Sequence, residues 1–340
     1  MIVAGSPVWS RMSNLIVTNG DSGAERMRDA GLGDEILCWR DMLHEGPVPL
    51  TANTAALTNL RANFLTTVAP GRKVSAELYQ RDRVLAGSGL FKEVVIWFEH
   101  DLYDQLQLIQ VLAQLGQRSF KDTKISMISA PRYVGTLVPD EALTTFATRS
   151  LVEEPQFELA ERAWAAFRAA TPQPLLDFLR TDELSSLPFL EAALRRLLEE
   201  YPGNDGLARS ERQILQALQT AGGTLGARDL YRRSHHDMED PVWLGDWPFA
   251  MRLQLLSRSK KPAIALKPSA ESTEEHAEID GAYAAELNSE VALTEYGSDL
   301  LAGKADFVKD NGIDRWLGGV HLTRDNLWRW DNESKTVSKK

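Results

Sequence analysis

The sequence predicts an α/β protein: a parallel sheet with covering helices at the N-terminal end, a helical connector, and an α+β C-terminal part. Three observations carry this. Four short apolar runs, Leu15–Val17, Ile36–Trp39, Val94–Phe98 and Ile125–Ile128, each empty into a polar cluster. Helical stretches separate these runs, which is the alternation expected of a parallel sheet with right-handed crossovers. Downstream, three helical stretches precede two strand-like runs. Apolar runs of this length, bounded by turn residues, read as strands buried on both faces.

The first run leads to Asn19-Gly20-Asp21-Ser22 and the helical stretch GAERMRDAGL, which Gly31 and Gly33 stop. Asp21 and Ser22 stand where a helix N-cap is expected. Gly20 lets the chain turn sharply there. The second run leads into Arg40-Asp41-Met42-Leu43-His44-Glu45-Gly46-Pro47. Residues 55–90 carry two helices on either side of Ala69-Pro70-Gly71. Their apolar stripes hold Leu57, Leu60, Phe64 and Leu65, then Leu78, Tyr79, Val84 and Leu85. The third run ends in Glu99-His100-Asp101 before the helix YDQLQLIQVLAQL. The fourth ends in Ser129-Ala130-Pro131-Arg132-Tyr133. Residues 12–150 therefore read as a Rossmann-like parallel sheet domain.

Residues 151–204 read as a helical connector punctuated by prolines. In residues 205–332 a helix capped by Ser210, a second over 224–236 and a third starting at Asp246-Trp247-Pro248 precede the apolar run Ala263–Leu266. An acidic loop over 270–281, the run Val291–Leu293 and a helix opened by Thr294 follow. Three helices with a two-stranded wing make this a winged-helix-like domain. A tryptophan-rich hairpin over 311–331 closes it, and residues 333–340 read as a disordered tail.

A hydrophobic content of 43% and a charged content of 25% are ordinary for a soluble globular chain of 340 residues. No apolar run approaches the roughly 20 residues of a membrane span, so no membrane partner is expected. The opening MIVAGSPVWSRMSN lacks the basic start and apolar core of a secretory signal, and Met12 is a candidate start. The single cysteine, Cys38, cannot form an internal disulfide and reads as a packed core thiol, so a cytoplasmic location is expected. The net charge of −10 argues against a broad nucleic-acid footprint, while leaving room for a local basic patch.

The phrases NGDS, WRDMLHEGPVP and WFEHDLYDQLQL resemble a bacterial family known as domain of unknown function 1835. NGIDRWLGGVHL resembles the winged-helix-like half that accompanies that domain in some members. The N-terminal resemblance runs over residues 14–135. It implies the same domain division and singles out the same clusters. It implies no activity.

Open parallel sheets bind ligands beyond the carboxyl ends of their strands, so the polar clusters are expected to converge on one edge. The leading expectation is binding of a phosphorylated small molecule or nucleotide there, with metal-assisted hydrolysis or transfer. Asp21, Asp41, His44, Glu99 and His100 are the candidate catalytic residues, as acids, bases, metal ligands or proton carriers. Asn19, Gly20, Ser22, Arg40, Glu45, Asp101 and Arg132 are the candidate ligand-binding residues. Asn19 and Ser22 would join free backbone N–H groups at the helix start, and Arg40 and Arg132 would neutralise phosphate. An oxygen-rich set suits Mg²⁺ or Mn²⁺, and an added imidazole moves the preference toward Mn²⁺ or Zn²⁺. Taken singly, each of these residues also fits a cap or a turn.

The alternative is a non-catalytic, ligand-responsive regulator whose winged helix contacts DNA or a protein. Its contact residues would be Arg228, Arg232, Arg233, Arg252, Arg258, Lys260 and Lys261. The acidity of the chain and the run Trp243, Trp247, Phe249 weigh against DNA. A third reading is a GDSL-like esterase with Ser22 as nucleophile and Asp41-x-x-His44 completing the triad. In those esterases the D-x-x-H block lies near the end of the domain, not on the second strand.

Overall fold

The computed structural model describes residues 12–33, 35–69, 73–268 and 283–339. The four apolar runs form β1 (Met12–Thr18), β2 (Glu35–Cys38), β3 (Phe91–Trp97) and β4 (Lys124–Ile128). They pair in parallel in the order β2-β1-β3-β4, with Val17 opposite both Leu37 and Ile96, and Ile96 opposite Met127. A two-residue strand β5 (Ser150–Leu151) adds antiparallel to β4. It is too short to leave a sequence signal.

Helices α1 (Asp21–Asp29), α2 (Thr54–Val68), α3 (Val74–Ala86), α4 (Leu102–Gly116) and α5 (Pro139–Ala147) connect the strands. Both sheet faces are buried. Leu15, Val17, Val94 and Ile96 face the main core with Leu106 and Ile109, whereas Ile16, Val95 and Trp97 pack with Met27 and Val134. This is why the strands read as continuous apolar runs rather than alternating ones.

The connector holds α6 (Glu154–Phe167), α7 (Gln173–Thr181) and α8 (Leu190–Leu198), with α6 and α8 packed on α4. Then come α9 (Arg209–Thr220), β6 (Thr224–Gly226) and α10 (Ala227–Tyr231), the last continuing as a π turn to His236. They are followed by α11 (Asp246–Arg258), β7 (Ile264–Pro268), α12 (Ala284–Leu287), β8 (Ser289–Leu293), α13 (Glu295–Leu301) and α14 (Phe307–Asn311). β6, β8 and β7 form a small antiparallel sheet in that order. The chain ends in two hairpins, β9 (Arg315–Leu317) with β10 (Val320–Leu322), and β11 (Trp328–Asp331) with β12 (Thr336–Lys339). No helix among the described residues is long and apolar enough to cross a membrane.

Three local expectations change. Gly20, with φ +60°, caps α1, and Asp21 is already helical. Ala208 precedes α9, and Ser210 lies inside that helix, where its hydroxyl donates to the buried Glu200 carboxylate at 2.5 Å. Residues 333–339 are an ordered turn and strand, because β12 pairs with β11 and buries Val337. The expected acidic loop over 270–281 lies outside the described residues.

Candidate functional site

A cavity of about 700 Å³ opens beyond the carboxyl ends of β1, β2 and β3. Strand order reverses between β1 and β3, because β2 lies on one side of β1 and β3 on the other. A crevice at such a reversal is where open α/β sheets take ligands. Asn19, Gly20 and Asp21 follow β1 into the cavity, Arg40 follows β2, and Glu99 and Asp101 follow β3. Leu65, Val68 and Leu78 from α2 and α3 supply an apolar wall. Residues 242–248, leading into α11, also line the cavity, and Trp247 packs against that wall. The Tyr133 hydroxyl, also in the cavity lining, donates to the Val242 carbonyl at 2.9 Å.

The carboxylates of Glu99 and Asp101, which line the cavity, and of Asp104 behind them have oxygens within 4.8 Å of one another. Local structure places them. Asp101 caps α4 by accepting from the Asp104 N–H at 3.0 Å, which puts Asp104 in the first turn beside it. Glu99 accepts from the Val134 N–H at 2.6 Å, and Asn19 donates to Asp104 at 3.3 Å. Asp104 is fully buried, and its Oδ1 has no hydrogen-bond partner among the described residues. Burial raises the proton affinity of all three; the Glu99 charge adds to this at Asp101, and the Asp101 and Glu99 charges add to it at Asp104. Asp101 is pushed up to about 8. Such a group can share protons or hold a cation.

Asn19, Gly20, Asp21, Arg40, Glu99 and Asp101 line the cavity; the other expected residues do not. Asp21 is exposed and forms an ion pair with Arg40 at the mouth. Asp41 is buried, with Arg61 at 2.6 Å and Arg81 at 3.6 Å. Arg61 also donates to the carbonyls of Met42 and Glu45, so this pair organises the 41–47 loop instead of facing the cavity. Glu45 pairs with Arg252 at 2.5 Å. His44 is buried, its ring centroid 5.2 Å from that of Tyr103 and 5.1 Å from that of Trp243. Burial chiefly, and then the Arg252 charge, hold it down to about 3. His100 packs on Tyr133 and Phe189, and burial lowers it too. Ser22 is exposed, and Arg132 pairs on the surface with Glu141 at 2.9 Å.

The esterase triad is not assembled. Neither His44 ring nitrogen has a hydrogen-bond partner among the described residues, and the Asp41 carboxylate is already held by Arg61. The basic face expected of a DNA-contacting helix is also broken. Arg252 is buried against Glu45 and Glu200, Arg258 pairs with Glu286, and Lys261 pairs with Asp310.

Sequence reading missed Asp104, the cavity-lining Tyr103, Tyr133 and Arg81, and the whole 242–248 wall. The only signal for Asp104 was its place three residues after Asp101 at a helix start. That spacing looks like an ordinary cap.

No protein-family model matches this chain, and no curated protein sequence matches it.

Proposed function

We propose that the chain binds a phosphorylated small molecule or nucleotide in the cavity at the carboxyl edge of the sheet. Hydrolysis or transfer at the phosphoryl group is the reaction this reading favours. The observation that carries it is one cavity holding Asn19, Arg40, Glu99 and Asp101 at the strand-order reversal. The start of α1 has no side-chain cap, so its first-turn N–H groups suit an anionic oxygen. Arg40 beside it would add a charge-assisted contact. The apolar wall would cover the ligand's body, and the cavity volume falls within the usual range for small-molecule sites.

On this reading the N-terminal part is a Rossmann-like domain, which the order β2-β1-β3-β4 supports. The succession α9, β6, α10, α11, β7, β8 supports a winged-helix-like C-terminal domain. The phrases quoted from the sequence support membership of the family known as domain of unknown function 1835. A cytoplasmic setting fits a lone buried thiol.

The test is thermal unfolding of wild type and Arg40→Ala with nucleotides and phosphosugars. Ligand at 100 times Kd should stabilise wild type by about 2.7 kcal/mol. Arg40→Ala should need at least tenfold more ligand for the same shift. A wild type that no such compound stabilises, or an unaffected variant, would overturn the proposal.

A second reading keeps one observation in its favour: α11, the third helix of the winged-helix order, begins at the cavity wall. A regulator would use that link to pass ligand binding to a protein partner. Gel-shift or pull-down measurements that respond to the same ligand would favour it.

A further inference from the structure

We infer that Glu99, Asp101 and Asp104 form a divalent-cation site specific for a hard, oxygen-seeking ion such as Mg²⁺ or Mn²⁺. The inference deepens the ligand-cavity reading, on which it rests for the role of the bound ion. Three carboxylates from two neighbouring segments offer oxygens within 4.8 Å of one another. Opposite ligands of an octahedral Mg²⁺ stand about 4 Å apart, so this spread is close to what one ion requires.

Two ways exist to stabilise such a group: shared protons, or a cation. A proton shared by two carboxylates satisfies one pair of oxygens. A proton held between Asp104 and Glu99 would make such a pair. With the groups ionised, the wholly buried Asp104 accepts from Asn19 at Oδ2, while its Oδ1 has no donor among the described residues. A buried acceptor left in this state is costly. One divalent ion can take an oxygen from all three side chains at once and compensate their mutual repulsion. Glu99 and Asp101 line the cavity while Asp104 stands behind them, so an ion bound here is reachable from the ligand space. Its remaining positions would be open to water or phosphoryl oxygens.

The donor set argues the ion's class. It contains no imidazole and no thiolate. His100, which lies between Glu99 and Asp101 in the chain, instead packs its ring on Tyr133 and Phe189. Carboxylate-only sites suit Mg²⁺, Mn²⁺ or Ca²⁺ rather than Zn²⁺. Asp21 and Asp41, the other carboxylates expected to serve, are occupied by Arg40 and by Arg61.

The test is a Mn²⁺ titration of the full chain after chelator treatment, read by loss of the free-ion paramagnetic resonance signal. Wild type should bind one Mn²⁺ that excess Mg²⁺ displaces. Asp104→Asn and Glu99→Gln should each weaken binding at least tenfold, and Asp177→Asn on α7 should leave it unchanged. Circular dichroism checks folding, and Glu99→Gln decides if Asp104→Asn does not fold. No Mn²⁺ bound by wild type, or full affinity in the folded variants, would overturn the site. Nucleotide binding without Mn²⁺ binding would remove the metal site and leave the ligand cavity. Mn²⁺ binding without any phosphorylated ligand would do the reverse.

Discussion

Arg252 of α11 reaches across the molecule to Glu45, in the loop after β2, with Nη1 and Oε1 2.5 Å apart. The same guanidinium lies 3.3 Å from Glu200 and donates to Ser210 Oγ at 2.9 Å. These charges are largely or wholly buried. Removing one partner of a buried ion pair costs more than the pair itself contributes, because the remaining charge is stranded. Arg252→Met should therefore destabilise the protein by about 3–5 kcal/mol. Urea unfolding measures this, and a loss below 1 kcal/mol would show that the network is solvated.

His235 supplies a pH prediction. It is buried and held down to about 3, by burial first and then by Arg252, with Glu200, Arg196 and His236 also near it. Its unfolded value is about 6.5. Below that pH the unfolded chain takes up a proton that the folded chain refuses, so this residue's contribution to stability falls as pH falls from about 6.5 toward 3. His235→Gln lacks that loss. Its stability deficit relative to wild type should shrink by about 1.2 kcal/mol between pH 6 and 5. Denaturant titrations at the two pH values test the sign. A deficit that stays constant would place a solvated histidine at this position.

Gly319 tests the packing of the C-terminal hairpin onto the rest of the chain. Its N–H donates to the Phe167 carbonyl at 3.0 Å, and a Cβ there would collide with the carbonyls of Arg168 and Ala169. Backbone atoms cannot move aside as a flexible side chain would. Gly319→Ala should lower stability by about 3 kcal/mol or more, in the range of severe overpacking. A melting temperature within 1 °C of wild type, about 0.7 kcal/mol for a chain of this size, would contradict the contact.

Tyr133 ties the segment after β4 to the segment before α11 through its hydroxyl and the Val242 carbonyl. Tyr133→Phe removes that single bond and should cost about 1 kcal/mol. Hydrogen exchange should become faster in residues 242–246 and stay unchanged in β1 and β3. Equal protection in both proteins would mean that the wall does not depend on this bond.

Local chemistry by itself determined much of the molecule. The apolar runs placed four buried strands, because burial on both faces removes polar residues from them. Gly20 marked the turn after β1, and Thr294 marked the start of α13 by accepting from the Gly297 N–H. These steps put Asn19, Glu99 and Asp101 at the carboxyl edge. Only the tertiary structure decided which polar groups meet there. Asp41 and Asp101 look alike in the sequence, yet one is taken by Arg61 and Arg81, and the other joins Glu99 and Asp104. Likewise, Arg252 reads as a candidate contact residue of a regulator, but it turns inward, where Glu45 and Glu200 supply its countercharges. Periodicity and capping are written within a few residues of chain. The partner of a buried charge can lie two hundred residues away, and no local pattern records that choice.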